Sequence, residues 1–279
     1  MNSIILYNED CLDVLRRTAD NSIDLIVTSP PYADRRKSTY GGIKSVDYVK
    51  WFKPIAAEIK RVLKVTGSFF LNIKPHTDEG ERDLYVFDLV ISLKRDLGFK
   101  YIDEYSWIKN AFPGDLKGRF KNGFEPVYHF SKGSSSKITF NPLVCGAAIK
   151  PGVKERADRK YTGKPDNGSG MTQMKSDNLR RLELARPSNV LQINNVVNQF
   201  SDNKSHPATY PKELCEFFIK SFSNKNDVVM DPFMGSGTTG VAAKELERSF
   251  IGVEKMEEFY NLSKKIINKT TVQPMLLGI

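Results

Sequence analysis

Residues Ile23-Asp24-Leu25-Ile26-Val27 form a short, nearly continuous apolar run that stops at Thr28-Ser29-Pro30-Pro31-Tyr32. Such a run reads as a strand buried on both faces, which belongs in a parallel sheet covered by helices. The prolines then fall at the carboxyl end of that strand, where open α/β sheets hold their ligands. Proline fixes its own φ and pushes the preceding residue toward extended geometry, so two in succession aim the Ser29 hydroxyl and the Pro30 carbonyl with little freedom left. Tyr32 adds an aromatic face, and stacking on a nucleobase is worth about 1 to 3 kcal/mol. Together these groups suit a flat ring that bears an amino group. An isolated segment of this kind reads equally well as a proline-terminated strand followed by a turn tyrosine.

A second segment narrows the choice. Asp227 to Asp231, then Pro232-Phe233-Met234-Gly235-Ser236-Gly237-Thr238-Thr239-Gly240, reads as a strand, a glycine-rich turn and a helix start. Glycines at 235 and 237 let a ligand approach the backbone, and amides at a helix start favour a carboxylate or phosphate. No lysine follows in the pattern of a phosphate-binding P-loop, and the spacing is not GxGxxG. Asp231 would repel a pyrophosphate and suits instead a cationic ligand with an amino group. One strand further on, Ser249 to Val253 ends in Glu254, an acid placed to accept from ribose hydroxyls.

The pair TSPPY and DPFMGSGTT, with NEDCLDVL upstream and FIGVE downstream, resembles the amino-group DNA methyltransferases that use S-adenosylmethionine. The catalytic motif precedes the cofactor motif by roughly two hundred residues, which resembles the permuted β-class order. Matching segments run from about residue 4 to 132 and from 190 to 265. The resemblance implies a Rossmann-like α/β fold with a mostly parallel sheet, helices on both faces and a small irregular recognition insertion. It implies that Ser29, Pro30, Pro31 and Tyr32 hold the target base. It assigns Asp10, Cys11, Thr28, Asp231, Phe233, Gly235, Ser236, Gly237, Thr238 and Glu254 to S-adenosyl-L-methionine. Asp10, matched to the adenine amine of the cofactor, is also a natural N-cap ahead of Leu12 and Leu15. His206-Pro207 resembles the stretch beside the methionine moiety.

Residues 133–195 lack sustained periodicity, and Lys150 to Arg186 carry ten Lys or Arg against five Asp or Glu. In the family this position reads DNA, with 1–132 as the catalytic half and 196–279 as the cofactor half of one domain. Lys154, Arg156, Arg159, Lys160, Lys175, Arg180 and Arg181 are the candidate contacts, most of them to phosphate. Arg35, Arg36 and Lys37, next to the catalytic tetrapeptide, form a second basic stretch that would support an extruded nucleotide. A net charge of +9 over 279 residues fits double-stranded DNA as partner.

Direct attack of an exocyclic amine on a sulfonium methyl needs no enzyme nucleophile, so Cys11, Cys145 and Cys215 are expected to be bystanders. They are far apart without a CxxC pair, which argues against a disulfide framework or a structural metal. No apolar stretch nears the roughly 20 residues that cross a bilayer, and the amino terminus carries no signal peptide, so a cytoplasmic protein is expected. Serine as first residue of the tetrapeptide is more typical of N4-cytosine enzymes in the family, aspartate of N6-adenine enzymes. The resemblance also allows a homodimer and a cognate restriction endonuclease. Methylation of RNA or of a protein amide, and a non-catalytic DNA-binding module, are the competing classes.

Overall fold

The computed structural model describes residues 2–34, 42–78, 80–109, 118, 120–148, 184–194 and 210–272. The chain divides into two compact units, Met1–Phe140 with Asn189–Ile279, and Asn141–Ser188. The larger is built on an eight-stranded sheet. Its strands are β1 (Ile4–Tyr7), β2 (Ile23–Thr28), β3 (Leu63–Asn72), β4 (Lys100–Ile108), β5 (Phe124–Ser131), β6 (Val190–Gln192), β7 (Val228–Asp231) and β8 (Ser249–Val253). Their spatial order is β1-β8-β7-β2-β3-β5-β4-β6, parallel throughout except for β5, which runs against β3 and β4. The two halves of the chain thus merge in one sheet, with β7 seated directly beside β2.

β2 is buried along its whole length. Leu25 and Ile26 are 0% exposed, and each such burial is worth about 1.5 to 3 kcal/mol. Asp24, within the apolar run, is tolerated because Lys64 Nζ reaches both its oxygens at 2.7 and 2.8 Å and the Val228 amide donates to it at 3.0 Å. The strand ends where Pro30 and Pro31 offer no N–H to a ladder.

Helices α1 (Cys11–Arg17), α2 (Ser45–Val62) and α3 (Tyr85–Arg95) cover one face of the sheet. Helices α4 (Lys212–Phe222), α5 (Thr238–Glu245) and α6 (Glu257–Lys269) cover the other. Tyr48, Phe52, Ile55, Ile59 and Leu63 recur at a spacing that predicts a helix; the first four are buried on α2, and Leu63 opens β3. The spacing of Leu84, Phe87, Val90 and Ile91 predicts a further helix; α3 forms there, but Leu84, Phe87 and Ile91 are exposed and Val90 is half-buried, while Tyr85, Val86, Leu89 and Leu93 are buried. The segment from Leu84 to Leu93 is apolar nearly all round, so its periodicity leaves the facing open. Tertiary partners decide it: the Tyr85 ring lies 4.8 Å from that of Tyr48, and its hydroxyl donates to the Lys74 carbonyl at 2.8 Å. On the opposite face, Phe218 of α4 stacks on Phe70 of β3 at 4.2 Å and Phe222 packs against it with its ring tilted, at 4.8 Å. Gly240 lets α5 sit tightly: a Cβ there would lie 2.5 Å from Ile267 Cδ1 and 2.6 Å from Phe250.

In the smaller unit, Ala147–Ala148 pairs antiparallel with Leu184–Ala185. The basic candidates Lys154, Arg156, Arg159, Lys160, Lys175, Arg180 and Arg181 lie outside the described residues, as do Arg35, Arg36, Lys37, His206 and Pro207. Val190–Gln192, counted with the irregular stretch 133–195 from sequence, is an edge strand of the main sheet beside β4. A three-residue strand offers too little alternation to register as periodicity. Among the described residues no helix is long and apolar enough to cross a membrane, and no group of three His, Cys, Asp or Glu is placed to hold a metal ion.

Candidate active site

The two motifs meet at the carboxyl edge of the sheet. Thr28, the last residue of β2, is 0% exposed and donates from Oγ1 to Asp231 Oδ1 at 2.6 Å, across 203 residues of chain. Asp231 closes β7 and is likewise 0% exposed. Its Oδ1 also accepts from the Phe233 amide at 3.1 Å, and its Oδ2 from Thr239 Oγ1 at 2.7 Å and the Tyr210 hydroxyl at 2.9 Å. Burial lifts the Asp231 carboxyl above its ordinary range, against the pull of those donors. The structure therefore gives Asp231 another position than the sequence reading did. Its carboxylate is turned inward and filled by four protein donors, where a free counter-charge for a cationic ligand was expected.

Beyond Thr28, Ser29 is half-buried and Pro30 is buried. The turn is pinned by α2, since Tyr48 donates its hydroxyl to the Pro31 carbonyl at 2.7 Å. The Tyr32 hydroxyl lies 3.4 Å from Ser29 Oγ, 3.3 Å from Asn72 Oδ1 and 2.5 Å from Glu125 Oε1. Phe233 packs against Trp51 and Phe52, with ring centroids 5.9 and 6.4 Å apart.

The glycine-rich turn runs into α5 through Gly237, whose φ of 87° is open to glycine at little cost. Thr238 Oγ1, in the first turn of α5, is buried and has no hydrogen-bond partner among the described residues. Glu254, just past β8, is 4% exposed. Its Oε2 accepts from the Gly235 amide at 3.0 Å and its Oε1 from the Met256 amide at 2.8 Å. Burial raises its carboxyl, and the nearby Asp231 charge adds to this against the two amides. Asp10 caps α1 by accepting from the Leu12 amide at 3.0 Å, and its other oxygen meets Lys255 Nζ at 3.2 Å. Asp10, Glu254, the glycine turn and Ser29 thus line neighbouring strand ends of one sheet edge. Cys11 points into the core, and burial pushes its thiol to about 12. Cys215 is buried too and its thiol is raised, so neither is a thiolate near neutral pH.

Sequence reasoning missed several residues that the fold delivers here. Tyr210, just ahead of α4, supplies one of the donors to Asp231. Glu125 of β5 sits 3% exposed behind Tyr32, held by Lys74 Nζ at 2.9 Å and by Lys109. The single acid in the mostly apolar strand Phe124–Ser131 was the available signal, because a buried carboxylate needs partners.

The family model described as DNA methylase, covering N6- and N4-methyltransferases, matches residues 23–265. The chain belongs to this family of DNA methylases. Among its relatives is the type II methyltransferase M.PvuII of Proteus hauseri, 31% identical over 91% of this chain and 80% of that protein. The orphan methyltransferase M.BamHII of Bacillus amyloliquefaciens is 31% identical over 88% of this chain and 89% of its own. A solved PvuII DNA methyltransferase, described as cytosine-N4-specific, superposes with a TM-score of 0.69 at 28% identity, over 95% of this chain and 86% of that one. The complex of M1.HpyAVI with S-adenosylmethionine matches with a TM-score of 0.57 at 22% identity over 95% of this chain and 99% of that one, which speaks to fold alone. The fold is the Rossmann-like one of S-adenosylmethionine-dependent methyltransferases.

This DNA methylase uses S-adenosyl-L-methionine, and its residues fit that cofactor. A buried hydroxyl without a partner at the start of α5 and a buried acid beside the glycine turn are groups that a polar ligand would complete.

Proposed function

We propose that this DNA methyltransferase acts on the exocyclic N4 of cytosine in duplex DNA. The reading is carried by the 2.6 Å bond between Thr28 and Asp231, which sets the SPPY segment against the glycine-rich turn. Ser29 at the head of that segment, and the likeness to a cytosine-N4-specific enzyme, favour cytosine. Bound S-adenosylmethionine supplies an electrophilic methyl group. An amine on a base is a poor nucleophile because its lone pair is delocalised into the ring. The Ser29 hydroxyl and the Pro30 carbonyl accept its hydrogens and favour the tetrahedral nitrogen, while Tyr32 stacks on the ring. Such a pocket cannot reach a paired base, so the cytosine is extruded from the helix. Arg35, Arg36 and Lys37 steady the displaced nucleotide's phosphates, and 133–195 holds the recognition contacts. We place the protein in the cytoplasm; a homodimer and a cognate restriction endonuclease are the partners that the resemblance allows.

N6 of adenine is the second reading, favoured by the family's covering both bases. Nucleoside mass spectrometry on mixed-sequence duplex DNA, incubated with protein and S-adenosylmethionine, decides between them. N4-methylcytosine that vanishes with Ser29→Ala supports the proposal. N6-methyladenine overturns the base assignment, and no methylated base overturns the reading of the acceptor.

The site reading also carries a pH dependence. Glu254 holds its proton more tightly in the folded chain than an unfolded glutamate does. Free-protein stability therefore falls as pH rises from the ordinary carboxylate range through the raised value. Ribose hydroxyls donate to the ionised form, so cofactor affinity is expected to rise through that same window and level off above it. Calorimetric titration of S-adenosylmethionine at stepped pH should show this rise, and Glu254→Gln should abolish it. A slope that survives the substitution would remove Glu254 from the ribose site.

A further inference from the structure

Glu125 is a costly residue in its position. It lies 3% exposed in β5, and its Oε2 takes the ammonium groups of Lys74, at 2.9 Å, and Lys109. Burial opposes its charge, but the two ammonium groups and the Tyr32 hydroxyl outweigh it and hold the carboxyl below the ordinary glutamate range. An apolar residue of like volume often stabilises such a place as well, so a buried carboxylate paired with two partly exposed ammonium groups is weak evidence of a stability role.

The remaining oxygen, Oε1, faces the catalytic turn, 2.5 Å from the Tyr32 hydroxyl. An ionised carboxylate has no hydrogen to give, so Tyr32 donates. The competing acceptor, Asn72 Oδ1, is further off at 3.3 Å, and the Asn72 amide nitrogen is turned to donate to the Pro126 carbonyl at 3.0 Å. With its hydrogen committed, the Tyr32 oxygen offers Ser29 lone pairs only. Ser29 Oγ, 3.4 Å away, is placed to donate to it. That distance is long, as catalytic hydrogen bonds often are before substrate tightens them. A hydroxyl that donates backward presents lone pairs forward.

We infer that Glu125 is a positioning residue: acting through the Tyr32 hydroxyl, it orients Ser29 so that the serine oxygen accepts from the base amine and does not donate to it. The inference rests on the reading of Ser29 as the amine acceptor. Glutamine at 125 keeps the shape but can offer N–H to Tyr32, which reverses the chain. Phenylalanine at 32 keeps the stacking ring and breaks the chain without disturbing the buried charges.

The test is single-turnover methyl transfer to duplex DNA by cofactor-saturated protein, alongside Kd for cofactor and DNA. Glu125→Gln and Tyr32→Phe should each slow the transfer step about 10- to 100-fold, the rate equivalent of one hydrogen bond to a charged group. Both Kd values should stay unchanged, and the double variant should be no slower than the slower single, because both cut one chain. A wild-type rate for Tyr32→Phe, multiplying losses in the double variant, or a loss carried by Kd would overturn the inference. Should Glu125→Gln fail to fold, Tyr32→Phe still decides. Ser29→Ala run in parallel separates the two levels. Full activity there defeats the site reading itself, whereas an inactive Ser29→Ala beside two fully active partners defeats only the role of Glu125.

Discussion

Replacing Asp231 with alanine is expected to lower the melting temperature by about 5 to 15 °C and to remove measurable cofactor binding. The carboxylate accepts from Thr28, Phe233, Thr239 and Tyr210, so its loss strands four donors at once. Each stranded buried donor costs about 1 to 3 kcal/mol. Two gains offset part of this. The cost of burying the charge disappears, and Tyr210 and Thr239, already 2.6 Å apart, can pair with one another. A net loss of about 2 to 4 kcal/mol remains. The damage to binding follows from place: the same carboxylate joins β2 to β7 and fixes the entry to the glycine turn. Asp231→Asn should lose far less, since an amide keeps one acceptor and the hydroxyls can turn to meet its N–H. Because burial raises the Asp231 carboxyl, wild-type stability falls more steeply as pH rises through that window than that of the asparagine variant, which keeps only the Glu254 contribution. The gap between them should narrow with rising pH. Thermal scans at stepped pH with a cofactor titration check both parts, and an alanine variant with wild-type stability and affinity would refute the account.

Ser29→Ala is expected to leave the melting temperature and cofactor affinity in place and to slow methyl transfer by about 10²- to 10³-fold, the usual loss for one well-placed polar group in a reaction site. Ser29 is half-buried and its side chain holds no strand or helix in register. The turn that carries it is fixed from elsewhere, by the Thr28 bond to Asp231 and the Tyr48 bond to the Pro31 carbonyl. Chemistry and scaffold are therefore separable here, whereas at Asp231 they are not. Single-turnover kinetics beside a thermal scan reads the contrast. Equal stability loss in both variants would show Ser29 to be structural.

Much of the larger unit was legible in the chain because its signals are local. A short β-branched apolar run ended by two prolines reads as a buried strand that stops, and β2 stops there. Spacing of Tyr48, Phe52, Ile55 and Ile59 predicts α2, and the helix forms with those residues buried. Strand, glycine turn and helix around Asp231 and Gly237 followed from residue types whose conformational limits are intrinsic. Local patterning failed where it was degenerate. In α3, apolar residues all round left the buried face to be chosen by Tyr48 and the Lys74 carbonyl.

The sequence by itself determined which of the longer segments become strands and helices and which polar residues stand at strand ends, since φ preferences, capping and periodicity act within a few residues; the three-residue edge strand β6 formed only through its pairing with β4. Only the tertiary structure decided what those polar residues do. Asp231 was written in the chain as an acid before a turn, and the fold spends its charge on Thr28, Thr239 and Tyr210. Glu125 was the one acid in its strand, and pairing of β5 with β3 and β4 brings Lys74, Lys109 and Tyr32 to it. Hydrogen-bond direction and ionisation depend on neighbours within a few ångströms in space, and those neighbours come from segments whose sequence separation carries no local signal.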